Sequence, residues 1–244
     1  MSMATSAAAQ GGYCADRGGL GGTACTISEA RLSVEMGVID WEQDKTAGVR
    51  TDAISVGDLL VRYGVSDAFE AQIGCTAFSS RSSGGKRESG VGDVGLAVRH
   101  MVYEGPVAVA VMPFVSLPAG SNGFGAGDWG AGLQVPVEAE LPGNLGLGLT
   151  GTVEAAVDAD RDGRHLAYGG VIGLGLPVPE RFAALVELAA WRDLDPDGAS
   201  TAWLAGLSGT WLATDDLQLD VGADLGLDRG SPDVALHLGF ARRF

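Results

Sequence analysis

The sequence contains no apolar run long enough to form a membrane-spanning helix. Such a helix needs roughly 18 to 20 consecutive apolar residues, and no segment approaches that length, although 46% of the 244 residues are hydrophobic and mean hydropathy is +0.17. An apolar bias without such a run is typical of a transmembrane β-barrel, because each strand exposes only alternate side chains to lipid.

Basic residues are scarce. There are 16 Lys and Arg against 31 Asp and Glu, a formal net charge of -15. This balance argues against a nucleic-acid partner, which would require basic patches. It is compatible with a soluble surface, or with a channel interior and loops that favour cations.

Catalytic signatures are also scarce. Histidine occurs only at positions 100, 165 and 237, and none belongs to a pattern resembling a Ser-His-acid arrangement. The glycines at 90, 92 and 95 match a dinucleotide-binding spacing, but the surrounding period of two predicts no helix after them. We therefore predict neither enzymatic activity nor a cofactor.

Apolar side chains recur at every second position over most of the chain. In the final segment they are Val234, Leu236, Leu238 and Phe240, and the chain ends in Phe244. The pattern predicts strands with one polar and one apolar face. It recurs over twelve segments: 30–40, 50–65, 68–79, 91–103, 107–118, 127–141, 144–157, 165–178, 181–191, 201–213, 217–227 and 232–244.

Short connections alternate with longer polar ones between these segments. The longer ones are predicted at 40–48, 80–90, 119–126, 158–164, 192–200 and 228–231. This is the pattern of an up-and-down antiparallel barrel with short periplasmic turns and longer extracellular loops. The sequence thus predicts an all-β, monomeric barrel of about 12 strands in a bacterial outer membrane, with outer-membrane lipid as one partner.

Aromatic residues gather at the predicted strand ends, where Tyr and Trp favour the lipid–water interface. We predict an interface row at the loop ends and another at the turn ends, with a soluble β-sandwich as the alternative. The predicted interface residues are Trp129, Tyr168, Trp191 and Trp203 at the loop ends, and Tyr63, Phe69, Tyr103, Phe182, Trp211 and Phe244 at the turn ends.

The same alternation predicts a polar, acidic interior. The residues predicted to line it are Arg31, Glu35, Asp58, Arg62, Glu70, Gln72, Asp93, Arg99, Asp128, Gln134, Glu138, Glu140, Glu154, Glu187, Asp220, Asp224, His237 and Arg243. One interpretation is a passage that prefers cations or polar solutes. The alternative is a network of Arg–carboxylate pairs that fills a narrow barrel.

Two loops share the pattern D-x-D-x-D-G, which begins a calcium-binding EF-hand loop. The aspartates are Asp158, Asp160 and Asp162 in one loop, and Asp193, Asp195 and Asp197 in the other. The Glu that should follow at the twelfth position is absent, so these are weak surface calcium candidates or solvated acidic turns.

The N-terminal 29 residues form a separate region from the barrel predicted over 30–244. Residues 5–10 resemble the tail of a cleaved leader, with Ala7 and Ala9 as a cleavage pattern, or an ordinary Ala- and Ser-rich terminus. The Gly-rich stretch 10–29 is predicted either to plug the interior or to extend into the periplasm. Cys14 and Cys25 could form a disulfide there, while Cys75 falls within a strand as a small lipid-facing residue.

Several short motifs resemble those of a family of transporter-like outer-membrane proteins that is described by the MetA pathway of phenol degradation. They are Asp220–Leu227, Ser231–Val234 and the final Arg243-Phe244, together with Gly90–Leu96 followed by Arg99, and Val115–Gly120. Arg242 departs from the apolar or aromatic residue that is usual third from the end of such barrels. The resemblance spans about 30–244 and implies a barrel that passes small hydrophobic or aromatic compounds.

These observations together predict an outer-membrane channel for passive passage of small-molecule solutes, whether hydrophobic, aromatic or cationic. The alternative is a non-conducting structural or surface-binding barrel that uses its acidic loops.

Overall fold

A computed structural model describes residues 13–46 and 48–244. The described residues form thirteen strands, which we number in chain order. They are β1 Leu32–Thr46, β2 Val49–Ser66, β3 Phe69–Ser83, β4 Lys86–Gly90, β5 Val94–Tyr103, β6 Val107–Leu117, β7 Gly130–Leu141, β8 Leu145–Val157, β9 Arg164–Leu176, β10 Phe182–Asp193, β11 Ser200–Thr214, β12 Leu217–Gly226 and β13 Val234–Arg243.

Twelve of these strands close into an antiparallel barrel. Strands neighbouring in sequence pair with one another, β3 pairs with β5, and β1 closes the ring against β13 from Ser33↔Arg243 to Gln43↔Val234. The extra strand β4 pairs only with the end of β3 among the described residues. Within 13–46 and 48–244, no helix is long and apolar enough to cross a membrane.

The predicted up-and-down barrel of twelve strands is confirmed, but two predicted long loops are wrong. β1 continues to Thr46 and β2 starts at Val49, so most of the predicted loop over 40–48 belongs to two paired strands. The predicted loop over 80–90 is a hairpin formed by the end of β3 and β4. Backbone hydrogen bonding continues past the apolar stretch in both hairpins, where the side chains are polar and the alternation no longer marks a strand.

Burial in this barrel is the reverse of burial in a water-soluble protein. Side chains that are fully buried include Arg62, Arg99, Glu35 and Glu70, whereas Leu207 is 59% exposed. Outward-facing Leu, Val and Ile side chains cover the wall, because an apolar outer face is stable against lipid and not against water. The soluble-sandwich alternative is therefore wrong.

The strands have two ends that differ in their connections. The turn end carries the connections after β2, β5, β7, β9 and β11, and the loop end carries those after β1, β4, β6, β8, β10 and β12. In outer-membrane barrels the short turns face the periplasm, so the start of β1 at Leu32 and the chain end at Phe244 lie on the periplasmic side.

Aromatic side chains surround both ends of the outer surface, with one exception. Nine of the ten predicted interface residues are exposed; they are Tyr63, Phe69, Tyr103, Trp129, Tyr168, Phe182, Trp203, Trp211 and Phe244. Trp191 does not belong to this row. It pairs with Gly169 and lies four residues after Glu187 on the same face of β10, so it faces the interior.

Arg242 lies near Phe244 on the outer surface. Its guanidinium carbon is 5.0 Å from the centroid of the Phe244 ring. A cation over an aromatic face is favourable, and a long Arg stem can cross apolar surface while its head reaches polar groups. This contact accommodates a charged residue at a position that is usually apolar.

Candidate functional site

Most of residues 13–29 lie inside the barrel, and only Ser28 and Glu29 are exposed at the turn end, where the Glu29 N–H donates to Asp67. We call residues 13–29 the luminal segment. A disulfide joins Cys14 to Cys25 and closes the part of the segment that crosses the interior. The segment makes hydrogen bonds or ion pairs with eight of the twelve barrel strands, through Glu35, Arg62, Glu70, Arg99, Glu138, Thr150, Glu187, Gln218 and Asp220.

A network centred on Arg62 binds one side of the segment. Arg62 donates to Glu70 Oε1 at 2.9 Å and to Glu35 Oε1 at 2.9 Å, and all three side chains are fully buried. It also donates to the Cys14 carbonyl at 2.6 Å. Glu70 in turn accepts the Ile27 N–H at 2.7 Å. A buried charge is stable only when paired and hydrogen-bonded, and here the segment supplies some of those partners.

Arg99 connects the network to an acid within the segment. Its Nη2 donates to both carboxylate oxygens of Asp16, at 2.9 and 2.8 Å, and its Nη1 is 3.3 Å from Glu70 Oε1. Burial acts to raise the pKa of Asp16, but Arg99 and Arg62 outweigh it and hold that pKa below its ordinary value. Asp16 is therefore ionised at neutral pH and fixed beside the two guanidinium groups.

Carboxylates on the opposite wall bind the backbone of the segment. Glu187 accepts the N–H groups of Leu20 and Gly21, at 2.7 and 2.9 Å. A Cβ at Gly19 would lie only 2.7 Å from Glu187 Oε2, so a larger residue there would displace the carboxylate. Hydrogen bonds to a charged acceptor contribute about 1.5–3 kcal/mol each, which makes Glu187 a strong attachment point.

Two cavities lie on either side of the segment. The outer cavity, toward the loop end, has a volume of about 300 Å³ and is lined by Asp40, Asp58, Leu60, Asp224 and His237. The inner cavity, toward the turn end, has a volume of about 150 Å³ and is lined by glycines of β8 and β9, with Leu185, Thr210 and Gln218. Asp16, Arg17, Gly18 and Gly19 border both cavities.

The inner cavity exists because one stretch of wall has almost no side chains. Gly146 pairs with Gly175, and Gly148 pairs with Gly173, on the interior face of β8 and β9. A Cβ added at Gly148 would have no atom within 4 Å. These four glycines leave an open space between the barrel wall and the segment, whereas the side chains of the Arg62 network fill the opposite side of the interior.

The predicted interior residues fall into distinct groups. Those that contact the segment or its ionic network are Glu35, Arg62, Glu70, Gln72, Arg99, Gln134, Glu138, Glu187, Asp220 and Arg243. Asp58, Asp224 and His237 line the outer cavity, and Glu154 is half-buried near the loop end of β8.

Three predicted interior residues lie beyond the ends of strands, and none of them lines either cavity; for the exposed Arg31 the prediction is wrong. Arg31 is exposed just before β1. Asp128 forms an exposed ion pair with Arg164, at 2.8 Å. Asp93 accepts the N–H groups of Gly120 and Ala126 and so holds the loop before β7. Alternation gives the direction of a side chain only inside a strand, and these strands begin later than predicted.

Sequence reasoning missed Asp40, which lines the outer cavity. The pairing of β1 with β13 is irregular between Gly37 and Ile39, and a bulge reverses which residues face inward. The segment residues Asp16, Arg17 and Thr23 were also missed, because the segment has no periodicity from which to assign their directions.

The six acidic candidates for calcium do not gather around one ion within either loop. Asp160 accepts the Asp162 N–H and Asp195 accepts the Asp197 N–H, so these contacts are local turns. Asp158 and Asp195, from different loops, instead approach His165. Among the described residues, no set of oxygens within either loop converges on one point. Calcium binding by these loops therefore stays a prediction.

Reduction of the disulfide should loosen the segment without unfolding the barrel. Closing a loop of this size stabilises a structure by about 3 kcal/mol in the chain-entropy model. The disulfide also holds the carbonyl oxygens of Cys14 and Cys25 where they accept hydrogen bonds from Arg62. We expect a reductant to increase current fluctuations in planar bilayers. Cys75→Ser should respond like the wild type, and Cys14→Ser with Cys25→Ser should fluctuate without reductant. Identical current traces from the wild type, Cys75→Ser and the double variant, with and without reductant, would contradict a role of the disulfide in restraining the segment.

The closed barrel, its apolar outer surface and its aromatic rows define an outer-membrane β-barrel protein. Residues 15–244 match the family model described as "Putative MetA-pathway of phenol degradation", and the chain belongs to this family. A comparison with curated protein sequences gives no match.

Solved structures of similar fold include outer-membrane channels and porins. An outer-membrane channel from Pseudomonas putida F1 has 16% identity and a TM-score of 0.74, covering 89% of this chain and 96% of that one. The NanC porin has 11% identity and a TM-score of 0.56, with coverage of 86% and 98%. The CymD monoaromatic hydrocarbon channel has 8% identity and a TM-score of 0.50, with 89% of each chain covered. These named neighbours are channels and porins, not enzymes.

Proposed function

We propose that this protein is a passive outer-membrane channel for small solutes, with a narrow route past the luminal segment. The observation that best supports this proposal is that both cavities are bordered by Gly18 and Gly19. These residues have no side chains, so a small displacement of the backbone there would connect the two cavities. A monomer is sufficient, because both cavities lie within one chain, and no catalytic step is required.

The outer cavity supports a preference for cations or neutral solutes. It is lined by Asp40, Asp58 and Asp224, with Arg17 and His237 as the neighbouring bases. A cavity in which one sign of charge predominates concentrates the opposite ion. The inner cavity, lined by glycine, Val171 and Leu185, supports passage of compact apolar groups. The family description and the CymD neighbour favour small aromatic compounds as solutes.

The contacts of the segment also favour a second candidate, a barrel that does not conduct. Ion pairs and hydrogen bonds to eight strands could hold the interior closed permanently. Planar-bilayer recordings from folded protein separate the two. Small, resolved conductance steps support the channel, and their absence from folded protein at high concentration would reject it.

Neutralising the outer cavity should reduce cation preference. We expect Asp40→Asn, Asp58→Asn and Asp224→Asn together to move the reversal potential in a salt gradient toward zero, because three carboxylates leave the route. A matched variant, Asp160→Asn, Asp162→Asn and Asp197→Asn, removes the same charge from exposed loops and should keep the wild-type potential. Equal shifts in both variants would indicate a general surface-charge effect and contradict a route through the outer cavity.

A further inference from the structure

The two loops with the D-x-D-x-D-G pattern meet around His165, the second residue of β9. His165 Nδ1 lies 2.9 Å from Asp158 Oδ1 and 3.5 Å from Asp195 Oδ2. His165 Nε2 lies 3.0 Å from Asp193 Oδ1. The His165 side chain is only 6% exposed, although it sits at the loop end of the barrel.

The imidazole ring has a carboxylate at each nitrogen. A neutral imidazole carries one N–H, so its second nitrogen can only offer a lone pair. A lone pair directed at a carboxylate is repelled, so the cluster needs a positive charge, which either a second ring proton or a metal cation at Nδ1 would supply. The buried Nε2 also has no hydrogen-bond partner of ordinary geometry among the described residues. A cation bound to Nδ1 would remove the repulsion there and leave Nε2 to carry the proton.

We propose that His165 Nδ1, Asp158 and Asp195 bind a divalent metal ion of the zinc class. One potential ligand atom from each residue lies within 4.8 Å of the others. Tetrahedral zinc with bonds of about 2.0–2.1 Å places its ligand atoms roughly 3.3 Å apart. The distances of 2.9 and 3.5 Å from Nδ1 to the two carboxylates lie on either side of that value.

Neighbouring groups hold these ligands in position. Asp193 faces Nε2 and also accepts the Asp195 N–H at 2.9 Å. The Ala159 N–H donates to Asp195 Oδ2 at 2.8 Å. A metal-bound histidine usually donates its other N–H to a carboxylate, which fixes the ring and its tautomer. Asp193 Oδ1 lies 3.0 Å from Nε2 and would take that role after a small rotation of the ring, which the present geometry does not yet align for a hydrogen bond.

The donor set distinguishes zinc-class metals from calcium. Calcium takes six to eight oxygen ligands, whereas this cluster offers an imidazole nitrogen and few carboxylates. Imidazole suits zinc and its transition-metal neighbours. The site would join the loop after β8 to the loop after β10 and stiffen one side of the barrel mouth.

Titration of untagged, folded barrel in detergent with zinc chloride, followed by calorimetry and thermal unfolding, tests the site. Wild-type protein should bind one zinc ion and unfold at a higher temperature with zinc. His165→Gln, and Asp158→Asn with Asp195→Asn, should lose both effects. Asp193→Asn should bind roughly 10- to 100-fold more weakly, as expected for an outer-shell partner.

The matched control is Asp160→Asn with Asp197→Asn, which removes two charges from the same loops outside the cluster. It should bind zinc like the wild type. The gel mobility of unheated samples verifies that each variant is folded. Equal zinc binding by His165→Gln and wild type would overturn the site, as would no zinc binding by folded wild type. Tighter binding of calcium than of zinc would overturn the assignment of the metal class.

Discussion

Deletion of residues 13–27 should raise the single-channel conductance severalfold. The deleted stretch separates the outer and inner cavities. An eight-stranded barrel is narrow enough for its own side chains to fill, whereas a twelve-stranded barrel is wider and is left open when the segment is removed. The deletion removes one acid and one base, Asp16 and Arg17, so net charge is unchanged. Glu187, Glu138 and Asp220 lose their partners in the segment, and cation preference should therefore increase.

A point variant tests the same segment without shortening the chain. Glu187→Ala removes the acceptor for two backbone N–H groups, and we expect brief openings rather than a permanently larger current. Glu140→Ala is the matched control, since Glu140 makes no hydrogen bond or ion pair with the described part of the segment. A folded deletion variant with wild-type conductance would show that the segment does not limit passage.

The fold was predictable because the wall of a barrel is determined by local alternation. In β12, Leu219, Val221 and Leu225 are outward while Asp220 and Asp224 are inward, as their spacing indicates. Lipid on one side and polar groups on the other enforce this pattern along every strand. The pattern gives no direction where it stops, at Arg31, Asp93 and Asp128, and it misleads where a bulge reverses it, at Asp40.

The interior arrangement was less predictable because it depends on long-range contacts. The sequence left open whether residues 10–29 plug the interior, and residues 10–12 lie outside the described residues, as do the leader-like residues 5–10. Nothing in a glycine-rich stretch indicates that Leu20 and Gly21 meet Glu187, more than 160 positions later in the chain. The meeting of Asp158 and Asp195 at His165 likewise requires the pairing of β8, β9 and β10.

The same buried network that holds the segment should also dominate the stability of the barrel. Arg62→Ala should lower the free energy of unfolding by about 3–5 kcal/mol, the usual cost of leaving a buried partner charge unpaired. Two buried carboxylates, Glu35 and Glu70, would lose their common partner. Chemical denaturation in detergent, followed by tryptophan fluorescence, measures the change.

Two further variants test the cause of that loss. Arg62→Lys keeps the charge but cannot donate to both carboxylates in the same fork, so it should be intermediate. Arg62→Met combined with Glu35→Gln and Glu70→Gln removes the charges together, and replacing a buried ion network as a unit is far less costly than breaking it. This triple variant should recover much of the stability lost in Arg62→Ala. Arg50→Ala, at an exposed pair with Asp52, should unfold like the wild type. If the triple variant is less stable than Arg62→Ala, the loss comes from packing rather than from unpaired charge.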